Sequence, residues 1–130
     1  MTVELTMLAA SVALLFVLIL IQALSGIVAQ GLPAMAGSRD NLKEPTLLQA
    51  RTRRVVDNHR EGLLLFAPLV LIAAVIDVST AWTVLGAQLF FGSRVVHALL
   101  YLAGVPWLRP LAWAAGIAGC IMIFLALFGP

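Results

Sequence analysis

Two short runs hold most of the polar chemistry in this chain of 130 residues. The first is Arg51-Thr-Arg-Arg54-Val-Val-Asp57-Asn58-His-Arg-Glu61, and the second is Arg94-Val-Val-His97-Ala-Leu-Leu-Tyr101. On a helix at 100° per residue, Arg51, Arg54, Asn58 and Glu61 share roughly 80° of surface, a stripe about 15 Å long. Arg94, His97 and Tyr101 fall within roughly 60° of one another on the same geometry. Arg53 and Arg60 point away from the first stripe. Arginine forks match carboxylates, an asparagine amide both donates and accepts, and a glutamate pairs with an ammonium group. A tyrosine beside an arginine stabilises a thiolate, because a cation or a hydrogen-bond donor lowers a thiol pKa.

The elements that must carry these groups are membrane helices. Hydrophobic residues make up 62% of the chain and charged residues 11%, against about 45–50% and about 25% in a soluble domain. That balance excludes a disordered chain, a nucleic-acid-binding module and an ordinary water-soluble enzyme. A bilayer span needs about 20 apolar residues. Spans are predicted at about 5–30, 46–76, 81–103 and 107–127, a four-transmembrane-helix, all-α bundle in a single domain. The first is retained rather than cleaved, since Glu4 stands where a signal peptide would be basic. Gly31 to Lys43 reads as a breaker-rich loop, with Thr46 as N-cap of the second span. Pro68 is tolerated inside that span as a kink. Trp107 and Trp113 are placed near one interface and Trp82 near the other. Ala115 and Gly119 form a small-xxx-small pair that suits close helix contact. The lone Cys120 reads as a small buried hydrophobe.

Four spans put both termini on one side. Lys and Arg concentrate in the first loop and the start of the second span, and Arg109 follows the third loop, so the positive-inside rule puts these in the cytoplasm and the termini opposite. Arg94, His97 and Tyr101 then share the cytoplasmic half with the Arg51 to Glu61 stripe and with Arg109. Ionisable groups in a span cost about 2.5–3.5 kcal/mol each on insertion scales, so each needs a reason. A small, anionic, peptide-like molecule would supply one. Glutathione, with its carboxylates, ammonium, amides and thiol, fits the inventory, as do other zwitterions. Each residue also has a plainer role. Arg51, Arg53 and Arg60 are topology signals that snorkel to phosphate, Arg54 pairs with Asp57 or Glu61, His97 bonds helix to helix, and Tyr101 belongs to an interfacial belt.

The first motif resembles the helix 2 signature Arg-x-x-x-Asn-x-x-Glu of the MAPEG superfamily, membrane-associated proteins in eicosanoid and glutathione metabolism. The second is similar to the Arg-x-x-His-x-x-x-Tyr of microsomal prostaglandin E synthases, and Arg109 resembles the arginine that opens helix 4. The resemblance covers essentially the whole chain and points to a bacterial-type homologue of the prostaglandin E synthase branch. It implies a homotrimer in the bilayer, in the inner membrane if the source is bacterial, with glutathione between neighbouring subunits. It implies that Arg54, Asn58, Glu61, His97 and Tyr101 hold glutathione, that Arg94 supports the site and that Trp113 is an aromatic contact. Arg109, with Tyr101, would stabilise the thiolate. The activities implied are transfer of glutathione to lipophilic electrophiles, peroxide reduction, or prostaglandin-type isomerisation. Three positions depart from that branch. Gln30 stands where an arginine is common, Pro110 where a serine follows the helix 4 arginine, and Asp57 where an arginine is found. Two other classes are weighed beside the enzyme. One is a small four-helix multidrug exporter, which would need a carboxylate deep in its first span. The other is a non-catalytic membrane scaffold that binds glutathione or lipid. No metal or nucleic acid is expected.

Overall fold

The computed structural model describes residues 1–129. The predicted all-α bundle is present: α1 (Val3–Gln30), α3 (Leu47–Val75), α4 (Ala81–Ala103) and α5 (Leu108–Leu127) are each long and apolar enough to cross a membrane. A short α2 (Leu32–Ala36) lies in what reads as loop. Pro33 near its start costs no hydrogen bond there, and Gly31 at φ +88° makes the turn into it.

Helix ends follow local chemistry. The Thr46 hydroxyl accepts from the Gln49 amide nitrogen, and the Gln49 side chain accepts in return from Thr46, closing a capping box on α3. Thr80 and Thr83 do the same for α4. Asp77 at φ +57° turns the chain between these two helices.

Among the described residues, α3 and α4 each touch α1 and α5 and also each other, while α1 and α5 do not meet. The centre is therefore an α3–α4 diagonal, with α1 on one flank and α5 on the other. The Phe66 and Phe90 rings stack across that diagonal at 4.0 Å, and Val70, Ala87 and Ile123 close around them. A second cluster of Leu18, Val55, Val56 and Ala98 fills the bundle nearer the first loop. Cys120 belongs to the first cluster. The α4–α5 contact is backbone on backbone. A Cβ added at Gly119 would stand 2.5 Å from the Gly86 carbonyl oxygen, so side chains are excluded and the helices approach closely. Gly119 keeps the role expected of it, but its partner on this face is Gly116; Ala115 is half-buried to one side.

Glu4 is 2% exposed and ties the opposite end of the bundle together. Its Oε1 accepts from the Ser79 hydroxyl at 2.9 Å and from the Thr83 hydroxyl at 2.5 Å. The sole carboxylate on α1 therefore joins the start of α1 to the start of α4.

Candidate functional site

Arg94 sits on the α4 face that meets α3 and is 2% exposed. A charge there must be hydrogen-bonded or it is prohibitively costly. Its Nη1 donates to Oδ1 of Asn58 at 2.8 Å, and its Nη2 donates to the Trp113 carbonyl at 3.2 Å. The guanidinium also lies 5.4 Å from the Phe90 ring centroid. Its buried Nε has no partner. Glycines leave it room: a Cβ at Gly116 would stand 2.5 Å from Nη2, and one at Gly62 would stand 3.4 Å from Nη1. One arginine thus joins α3, α4 and α5.

Asn58 is held in register by its neighbour. His59 is 3% exposed, and its Nε2 donates to the Ser11 carbonyl of α1 at 2.8 Å. Asn58 therefore turns towards α4 while His59 turns towards α1. A hydroxyl contact between Ser25 and Thr52, at 3.1 Å, ties the same two helices nearer the first loop.

Further along α4, His97 is buried and its ring centroid lies 5.7 Å from that of Tyr101, tilted by 56°. The chain then reverses through Gly104, the left-handed C-cap of α4 at φ +77°, and α5 begins four residues later. The reversal lays the Arg109 guanidinium over the Tyr101 ring at 4.4 Å from its centroid, a cation–π distance. The Arg109 Nε is buried without a partner. Arg51 takes a structural place here. It packs where a Cβ on Gly104 would be, and its Nη1 donates to the Leu102 carbonyl at 3.4 Å. A cation is thereby set at the carbonyl end of α4.

The structure thus brings Asn58, Arg94, His97, Tyr101 and Arg109 to one end of the bundle, the end that carries the first and third loops. The sequence model of the MAPEG family matches residues 7–129. The chain belongs to the MAPEG family. No curated protein and no solved structure matches it. With four apolar helices, this MAPEG chain is an integral, multi-pass membrane protein of glutathione-related type.

Not every MAPEG motif residue joins the cluster. Arg54 and Glu61 are exposed on α3. Arg54 lines a groove of about 1130 Å³ on the α1 flank, together with Arg53 and Arg60, although the helical angle alone sets those two apart from it. Asp57 pairs with Arg60 rather than with Arg54. Trp113 offers its carbonyl to Arg94, while its side chain is 45% exposed. Gln30, at the position where family enzymes often carry arginine, is occupied with the first loop. Its amide donates to the Lys43 carbonyl at 3.0 Å and accepts from the Lys43 backbone nitrogen at 2.9 Å. The sequence reading gave no role to His59, Gly116 or Gly62. A signal existed for His59, which is 100° nearer the apolar face than Asn58. None existed for the two glycines, whose importance is set by the neighbouring helix.

Proposed function

We propose that this MAPEG protein is a glutathione-dependent membrane enzyme acting on lipophilic electrophiles or peroxides, by transfer, peroxide reduction or a prostaglandin E synthase-like isomerisation. The observation that carries this is the Arg109 guanidinium over the Tyr101 ring at 4.4 Å, with a partnerless buried Nε. The donor set fits a thiol-bearing zwitterion. Arg109 has an N–H to spare, the Tyr101 phenol lies under it, and the Asn58 amide nitrogen is free of Arg94, which takes only its oxygen. Exposed Glu61 and Arg54 offer one charge of each sign for the ammonium and a carboxylate.

Bound glutathione supplies the thiolate nucleophile. Arg109 and Tyr101 place positive potential and a hydroxyl where that charge develops, a preorganised form of stabilisation. Asn58, fixed by Arg94, orients the peptide, with His97 packed behind Tyr101 and Trp113 at the rim. An apolar cleft of about 390 Å³ between α3 and α5, lined by Leu65, Pro68, Ile117 and Phe124, begins about 12 Å along α5 from Arg109. It suits the lipophilic partner. Arg54 is exposed on α3 and lines the groove on the α1 flank, and in the proposed homotrimer Arg54 of one copy would meet the cluster of the next. The site opens to the cytoplasm in this proposal, with both termini opposite.

The test is titration of the detergent-purified protein with glutathione, followed by thiolate absorbance and by turnover of a generic electrophile and a lipid hydroperoxide. Saturable binding with a thiolate band is expected. Absence of binding at millimolar glutathione would end the proposal.

A further inference from the structure

The outer face of α4 carries a polar group at a depth where the surroundings are lipid. Among the described residues, Gln88 is the one exposed carboxamide in the four spans, and it makes no hydrogen bond there. It lies about 10 Å along α4 from Ala81, inside a hydrocarbon layer about 30 Å thick. A carboxamide at that depth is too short to reach the interface as Lys or Arg does, and lipid offers it no partner. One turn further on is Gly92, near the middle of the span, where an added Cβ would meet nothing within 4 Å. Glycine weakens a helix interior relative to alanine, and no contact within the chain calls for it here. Leu85, Gln88, Gly92, Val95 and Leu99 follow at alternating steps of three and four residues, so they share roughly 80° of surface. That is the spacing by which two parallel helices pack side by side. Thr83, Gly86 and Arg94, which meet α1, α5 and α3, all lie about 120° or more from Gln88 around α4.

We propose that this face docks against the same face of a second copy of the chain. Copies share one orientation in the bilayer, so Gln88 meets Gln88 and Gly92 meets Gly92 at equal depth. A carboxamide both donates and accepts, which makes it complementary to its own twofold mate. A polar residue at one position of such a seam fixes the register, and the paired glycines let the two backbones approach. Leu85, Val95 and Leu99 close around them. The contact lies on the opposite side of α4 from His97, about 180° around the helix. It therefore stands whether or not the Tyr101–Arg109 cluster binds glutathione, and Arg54 of α3 takes no part in it.

The test is oxidative crosslinking of the full chain in phosphatidylcholine vesicles, with Leu85→Cys or Leu99→Cys placed at the two ends of the seam. Cys120 is buried and supplies the background. Both substituted chains should form disulfide-linked pairs. Adding Gln88→Leu should lower the yield at limiting protein about tenfold, the effect of two interhelical hydrogen bonds of the strength found in membranes. Gln88→Asn, which keeps the amide, should retain most of the yield. Gly92→Leu should abolish it, because a side chain then stands where the backbones meet. Both positions are exposed, so helical content by circular dichroism should not change in any of these variants. Pairs that form at neither cysteine would overturn the proposal. So would a yield indifferent to Gln88→Leu, since crowding of apolar faces loses nothing when an amide becomes a leucine.

Discussion

Arg94 of α4 donates to the Asn58 side-chain oxygen of α3 across 2.8 Å of bundle interior. This bond takes the acceptor half of the Asn58 amide and leaves its donor half free. It also holds a guanidinium that is otherwise bonded only to the Trp113 carbonyl. A residue with the profile of a ligand contact is therefore also the partner of a buried charge.

Asn58→Ala should lower stability by roughly 1.5–3 kcal/mol, the range for a lost hydrogen bond to a charged group. Arg94→Met should cost a similar amount. The double variant should cost clearly less than the sum, because the two act as one unit. Thermal unfolding in detergent reads all three. Strict additivity would show that the bond carries no coupling energy.

Gly116→Ala places a methyl group where Arg94 Nη2 and Ser93 Oγ now lie, 2.5 and 2.7 Å from the new Cβ. Overpacking of this kind costs about 1–3 kcal/mol. Because Arg94 must move, glutathione affinity should fall as well, although Gly116 itself has no side chain to offer a ligand. Calorimetric titration beside a melting curve would separate the two effects. Ala115→Ser, on the half-buried neighbour, is the control and should change neither.

Arg109→Ala should reduce turnover more than binding, about 10²-fold or more, as expected for a group whose contribution is made mainly in the transition state. Tyr101→Phe keeps the ring beneath Arg109 and removes only the hydroxyl. If the phenol stabilises the thiolate, the thiolate band should weaken while affinity stays within about threefold. Glu61→Ala should do the reverse, raising KM with little change in kcat. Steady-state kinetics on the three variants would distinguish these roles.

Glu4→Ala removes the acceptor shared by Ser79 and Thr83 at the other end of the bundle. It should destabilise by roughly 1.5–3 kcal/mol. Glutathione binding should be unchanged, because the cluster lies at the far end of α4. Glu4→Gln keeps one carbonyl acceptor and should recover part of the loss. A fall in glutathione affinity with Glu4→Ala would show that the two ends are coupled.

Gln30→Ala breaks both bonds to the Lys43 backbone. The first loop should then become sensitive to limited proteolysis near Lys43, while the unfolding temperature changes by only a few degrees. Loop contacts of this kind open locally, well below the global stability.

Much of the architecture was legible in the sequence, because spans, breakers and caps are local. Apolar runs of bilayer length identify the four membrane helices, Thr46 and Gln49 mark the start of α3, and Arg94 inside a span announces a buried partner. Spacing and resemblance single out the MAPEG motif residues Asn58, Arg94, His97, Tyr101 and Arg109. What spacing could not decide is where each residue on a shared stripe ends up, since a helical angle says nothing about which neighbour stands opposite. Arg51 and Arg54 belong to one stripe. Yet Arg51 packs at the carbonyl end of α4, while Arg54 lines the groove on the α1 flank. Gly116 and Gly119, rather than Ala115, meet α4 because the approach of the two backbones sets the register. The sequence by itself determined the elements and the inventory of charges. The packing of α3 and α4 decided which charges are buried and bonded and which stay free to meet a ligand, because burial and partnership depend on the neighbouring helices.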